Sequence, residues 1–189
     1  KSMEPIVVPE FPEIEDIQEN KKARALYNQA HYFDNLNLAD DRFLRTNHSV
    51  FHDRLEYYRD NLMYPIPDSI IVAVDRLIDK TGESKEMYKY IVVFFTKHYE
   101  KSKIMCMDKV KLHMYQKYFL NDARTNWLSE ETRGKVQDLV DKMKYNQCGM
   151  KAPSLVVPDT SGNYIGINQY DNEYLVLYFW SSTCGHCKK

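Results

Sequence analysis

Tyr174-Leu175-Val176-Leu177-Tyr178-Phe179-Trp180 runs directly into Ser181-Ser182-Thr183-Cys184-Gly185-His186-Cys187, and the reading of this stretch decides the architecture. Its first half is apolar without alternation, the pattern of a strand covered on both faces in the middle of an α/β sheet. Its second half separates two cysteines by two residues. Such a pair can close a disulfide when the second cysteine lies in the first turn of a helix. The first cysteine then sits at the helix N-terminus, where unpaired N–H groups and the helix dipole stabilise a thiolate. The thiolate is the attacking species, so a lowered pKa sets reactivity. The residues between the cysteines, Gly185 and His186, tune the redox balance. A histidine there can interact with the Cys184 thiolate, stabilise the reduced form and make the disulfide more oxidising.

Upstream of this stretch the pattern is β again. Pro153-Ser154-Leu155-Val156-Val157-Pro158 reads as a short strand and Asp159-Thr160-Ser161-Gly162-Asn163 as a turn in which Gly162 takes positive φ. Tyr164-Ile165-Gly166-Ile167 returns as the second strand of a hairpin. The period changes near residues 147–152, which places a boundary between 1–147 and 148–189. From about residue 14 to 147 the pattern is helical, behind a proline-punctuated arm over residues 5–12. Ala23, Leu26, Ala30 and Phe33 fall at helical spacing. Thr46 or Asn47 caps a helix carrying Phe51, Leu55, Tyr58 and Leu62, and Pro65-Ile66-Pro67 breaks the chain. Ile70, Val74, Leu77 and Ile78 point inward from a third helix ended by Gly82. A fourth, from near Ser84, shows Tyr88, Ile91, Phe95 and Tyr99, and the neighbouring Val92, Val93 and Phe94 widen its apolar face into that of a central helix. A fifth runs from Asp108 to Leu120. A sixth begins at Ser129, with Glu130 and Glu131 in its first turn and Val136, Leu139, Val140 and Met143 as its stripe. The fold class expected is mainly α: a six-helix module (1–147), followed by a β-hairpin and one strand that begin a truncated thioredoxin-like α/β domain (148–189).

Composition narrows the function. Lys and Arg number 26 against 27 Asp and Glu, a balance that points to no nucleic-acid partner and no acidic lipid surface. No run of about twenty apolar residues exists, so the chain carries no membrane span. Of the four cysteines, Cys106 reads as a buried apolar thiol and Cys148 as a linker thiol. Only Cys184 and Cys187 have diagnostic spacing. Zinc would need two further ligands, and no second cysteine pair supplies them. Haem attachment needs a histidine directly after the second cysteine, where Lys188 stands. His48 and His52, four residues apart, lack an acidic ligand pattern beside them. No metal and no cofactor is expected beyond a redox-active disulfide.

The stretch from Gly149 to Lys189 resembles the start of a TlpA/ResA-type thioredoxin-like domain, a family of exported thiol–disulfide oxidoreductases. The resemblance rests on Gly149-Met150-Lys151-Ala152-Pro153, on Asp159 and Gly162 in the turn, on the strand ending Phe179-Trp180, and on Cys184-x-x-Cys187-Lys188. A helical segment ahead of such a domain resembles two-module proteins of Bacteroidetes whose N-terminal region has no known function. The resemblance implies that Cys184 is the nucleophile, Cys187 the resolving cysteine, and Gly185 and His186 the tuning dipeptide. It implies partners that are protein thiols or disulfides together with a reducing protein, and a periplasmic or cell-envelope location, with a lipid anchor before trimming as one form of it. The family's remaining active-site elements lie beyond Lys189, so these 189 residues are expected to be part of a longer protein and to have little activity alone. The rival expectation is a helical partner-binding module to which the redox segment is an appendage.

Overall fold

The computed structural model describes residues 17–151, 153–178, 180, 181, 183 and 185. The arm predicted at residues 5–12 lies outside them. The chain divides into two compact units, Lys1–Met150 and Lys151–Lys189.

The first unit is built of six α-helices among the described residues: α1 (Ile17–His31), α2 (His48–Tyr57), α3 (Pro67–Asp79), α4 (Lys85–Glu100), α5 (Asp108–Met114) and α6 (Glu130–Met143). Side chains cap three of the starts. Asn47 accepts from the Ser49 amide ahead of α2, Ser84 from Met87 ahead of α4, and Ser129 from Thr132 ahead of α6. These bonds satisfy amides that have no partner within the helix. Pro67 occupies the first turn of α3, where a missing N–H costs nothing. Gly82 takes φ +53° just beyond α3, a conformation that a side chain would strain. A single 3₁₀ turn at Asp41–Arg45, which the sequence pattern did not announce, precedes α2.

Two helices end differently from the expectation. α2 and α5 each widen into a π-helical turn, Tyr58–Leu62 and Tyr115–Leu120, so the single helix read over 108–120 is an α-helix followed by a wider one. The wide turns bring Tyr58, Tyr115, Tyr118 and Phe119 into the interior. α4 is the central helix, as its broad apolar face predicts. Met87, Tyr88, Ile91, Val92, Phe95, Thr96 and Tyr99 are all buried, and Thr96 returns its hydroxyl to the Val92 carbonyl at 2.7 Å. Two stripe residues do not point inward. Leu26 and Leu139 are exposed, because α1 turns Gln29 to the core, with Phe33 buried just beyond its end, and α6 turns Val136 and Val140. Gln29 ties α1 down by donating to the Leu62 carbonyl at 2.8 Å, at the end of the first wide turn.

The second unit holds a two-stranded antiparallel sheet, β1 (Val156–Pro158) and β2 (Tyr164–Gly166), in the register Val156↔Gly166, Val157↔Ile165, Pro158↔Tyr164. The turn works through Asp159, whose carboxylate accepts from the amides of Ser161 and Asn163 at 2.8 Å each, while Gly162 sits at φ +88°. A 3₁₀ turn at Ile167–Gln169 follows. The strand expected over residues 174–180 is not formed by residues 174–178: they carry no strand, and Tyr174, Val176 and Tyr178 are 81%, 88% and 76% exposed. A strand needs a neighbouring backbone for its N–H and C=O groups, and the sheet described here is completed by the hairpin alone.

Candidate functional site

Cys184, His186 and Cys187 lie outside the described residues. The residues beside them are placed. Ser181 accepts from the Thr183 amide at 3.3 Å and its hydroxyl meets that of Thr183 at 2.9 Å, a local turn leading into the motif. Gly185 is exposed, and a Cβ added there would meet nothing within 4 Å. Trp180, 59% exposed, stands just ahead of this turn.

The other two cysteines are not the isolated thiols that the sequence suggested. Cys106 and Cys148 form a disulfide across 42 residues, with their Cα atoms 5.2 Å apart. Cys106 is half-buried, and Cys148 is exposed. The bond ties the loop between α4 and α5 to the segment that follows α6. A second tie runs beside it, with Gln147 donating to the Asp108 carboxylate at 3.2 Å and to the Met143 carbonyl at 2.9 Å. Cys106 adopts φ +70°, the left-handed region, and its carbonyl accepts from the Lys109 amide at the start of α5. Spacing could not disclose this pair, because 42 residues carry no local signature. The even count of cysteines was the sole hint.

A polar cluster joins α3 to the second wide turn. The Asp75 carboxylate accepts from His113 Nε2 at 2.7 Å, from Lys117 Nζ at 2.8 Å and from the Tyr118 hydroxyl at 2.6 Å. Burial opposes ionisation of Asp75, yet the three donors outweigh it and hold its carboxyl at about 2. Burial and the adjacent carboxylate push the Tyr118 hydroxyl far up. Deeper in, the Tyr88 hydroxyl lies 3.1 Å from that of Thr125, which donates to the Tyr118 carbonyl, and burial raises Tyr88 to about 12. Arg124 covers the Tyr88 ring at 4.1 Å and pairs with Asp122. These groups are one another's partners, so the arrangement fixes helices and presents no nucleophile.

A groove of about 370 Å³ lies between α2 and α4, walled by Leu44, Tyr90, Val93 and Phe94 and edged by Lys89 and Lys97. His52 reaches the Tyr90 hydroxyl at 2.5 Å, and burial lowers its pKa, with His48 adding to the effect. The rings of His48 and His52 are 3.8 Å apart, but His48 bonds Asp53 and His52 bonds Tyr90. Among the described residues no three His, Cys, Asp or Glu side chains come together as a metal-binding group, and no helix is long and apolar enough to cross a membrane.

Residues 2–146 match the family described as "Domain of unknown function (DUF5106)". The chain is similar to the crystal structure of a thioredoxin-like protein from Bacteroides caccae ATCC 43185, at 21% identity and a TM-score of 0.67. The match covers 98% of this chain and 65% of that one, and it is a likeness of fold. No curated protein matches.

Proposed function

Since the chain belongs to the family described as a domain of unknown function (DUF5106), which names no activity, we propose a function from the segment that follows the matched residues. The whole protein is a thiol–disulfide oxidoreductase of TlpA/ResA type that works in the cell envelope. The observation that carries this reading is the co-occurrence of the Cys184-Gly185-His186-Cys187 spacing, the Asp159–Gly162 hairpin ahead of it, and a likeness in fold to a thioredoxin-like protein.

In this reading Cys184 attacks a disulfide of a partner protein as the thiolate. A mixed disulfide forms, and Cys187 resolves it, so the motif leaves oxidised and the partner reduced by two electrons. His186 sets the balance between the two states. The Cys106–Cys148 disulfide supports the location, because such bonds persist in oxidising compartments and are rare in the cytosol. The test is the Cys187→Ser variant of the whole protein. It should accumulate a mixed disulfide on Cys184, visible by non-reducing electrophoresis and mass spectrometry and absent from Cys184→Ser. A variant that traps nothing under conditions where its thiol is alkylatable counts against the role.

A second reading is favoured by the α2–α4 groove: the helical unit docks the protein whose thiols are exchanged. Phe94→Glu would then lower the yield of mixed disulfide with protein partners and leave reduction of a small-molecule disulfide unchanged. Loss of both activities together, or of neither, would remove the groove from the reading.

A further inference from the structure

We propose that Cys106–Cys148 is itself a second thiol–disulfide exchange site, opened by a dithiol protein of thioredoxin type while the helical unit stays folded. The proposal goes beyond the role given to Cys184 and Cys187 and stands without it.

Three observations point the same way. The first is access: Cys148 is exposed, and exchange requires a thiolate to reach a disulfide sulfur. The second is backbone strain on the other half of the bond. Cys106 is the one non-glycine residue among those described with positive φ, +70°, which costs about 1–3 kcal/mol for a residue with a side chain. Opening the disulfide frees the Cys106 side chain and lets this turn relax, so part of that cost is recovered on reduction. The third is the surface around the bond. Ile104 and Met105 are 66% and 84% exposed, in the same loop as Cys106, and Met150, also exposed, follows Cys148 by two residues. An apolar flank next to an accessible disulfide is what a dithiol protein needs to dock before exchange.

The bond is not the sole anchor of α6. α6 is held by Val136 and Val140 in the core and by Arg133, whose guanidinium donates to the carbonyls of Phe119, Leu120 and Thr125 at 3.1 Å each. A disulfide that alone anchored α6 could open only with unfolding; this one can open in place.

The step balances as follows. A thiolate of the dithiol protein attacks Cys148 Sγ, and the Cys106–Cys148 bond breaks with its electron pair leaving on Cys106 Sγ, which takes a proton from water. The reductant's second thiol, deprotonated, attacks the mixed disulfide and displaces the Cys148 thiolate. The reductant ends as a disulfide, and Cys106 and Cys148 end as two thiols. Gln147 and Asp108 still join the start of α5 to the segment after α6.

The test uses the Cys184→Ser/Cys187→Ser double variant of the full chain, in which this disulfide is the only one that can react, so its outcome is independent of the proposed oxidoreductase role. The protein is exposed under native conditions to reduced glutathione and, at equal thiol concentration, to a reduced thioredoxin. Free thiols are then alkylated and counted by mass. Two thiols should appear with an unchanged far-UV circular dichroism spectrum, and thioredoxin should be faster by about tenfold or more. Met105→Ser should slow the reaction with thioredoxin and leave that with glutathione unaltered. A bond that stays closed until denaturant is added overturns the proposal. So does opening that is no faster with thioredoxin than with glutathione.

Discussion

The helical unit and the segment after it treat apolar residues in opposite ways. In Lys1–Met150 the helix with the most buried side chains, α4, turns seven of them into a closed core. In Lys151–Lys189 the richest apolar run, residues 174–178, stands exposed. Hydrophobicity is high in both, so it does not by itself decide burial. A helix satisfies its backbone within itself and needs only an apolar neighbour. A strand must find both an apolar cover and a hydrogen-bonded backbone beside it. The hairpin finds the second through its own turn, and residues 174–178 find neither within the described sheet.

The contrast can be broken most forcefully in the core. Phe95 is fully buried on α4, so Phe95→Ala should lower the unfolding free energy by about 3–5 kcal/mol in denaturant titration. A loss below about 1 kcal/mol would mean that α4 is not the central helix. Next comes the disulfide. Cys106→Ser with Cys148→Ser releases a 42-residue closure and should cost about 2–4 kcal/mol while leaving the chain folded. Thr125→Val should cost about 0.5–1.5 kcal/mol, since it removes the Thr125 hydroxyl while the Tyr88 hydroxyl still donates to the Tyr118 carbonyl at 3.3 Å.

Asp75 gives a pH signature. Its carboxyl is held at about 2 in the folded chain and titrates near the ordinary 3.8 when unfolded. The stability it confers is therefore present above about pH 4 and lost as pH falls from there towards 2, where the folded carboxylate is itself protonated. Asp75→Asn should flatten the stability curve in that window. Because the group is partly solvated, the effect is a modest one, about 1 kcal/mol or less. An unaltered acid slope would detach Asp75 from His113, Lys117 and Tyr118.

Most of the helical unit was legible because its signals are local. Asn47, Ser84 and Ser129 cap helices within three residues of themselves, and the stripe of α4 repeats at the helical period. The hairpin was legible for the same reason, through Asp159 and Gly162. What escaped depends on distant partners. Cys106 meets Cys148 across 42 residues, and Asp75 meets His113 and Tyr118 across 38 and 43. Nothing in the spacing of either set distinguishes these residues from unpaired ones. The two wide turns also escaped, because the apolar pattern of Tyr115–Leu120 suits an α-helix as well as a π-helix. Of the candidate site, the motif was read from its spacing, the apolar run ahead of it and the family resemblance, and Gly185 is the member of it that the structure describes.

The smallest effect is the sharpest test of the contrast. Val176 is 88% exposed, in the middle of the most apolar run of Lys151–Lys189. In the arrangement described, Val176→Glu removes no contact with a core and buries no charge, so it should change stability by no more than about 0.5 kcal/mol. The same substitution in a strand covered on both faces would place a carboxylate where water cannot reach it, at several times that cost. Urea titrations of the two chains, one with Val176 and one with Glu, distinguish these cases directly. A near-zero difference leaves the run open and available to a neighbouring backbone. A loss comparable with that of Phe95→Ala would show that residues 174–178 are covered, and that hydrophobicity and burial agree in both units after all.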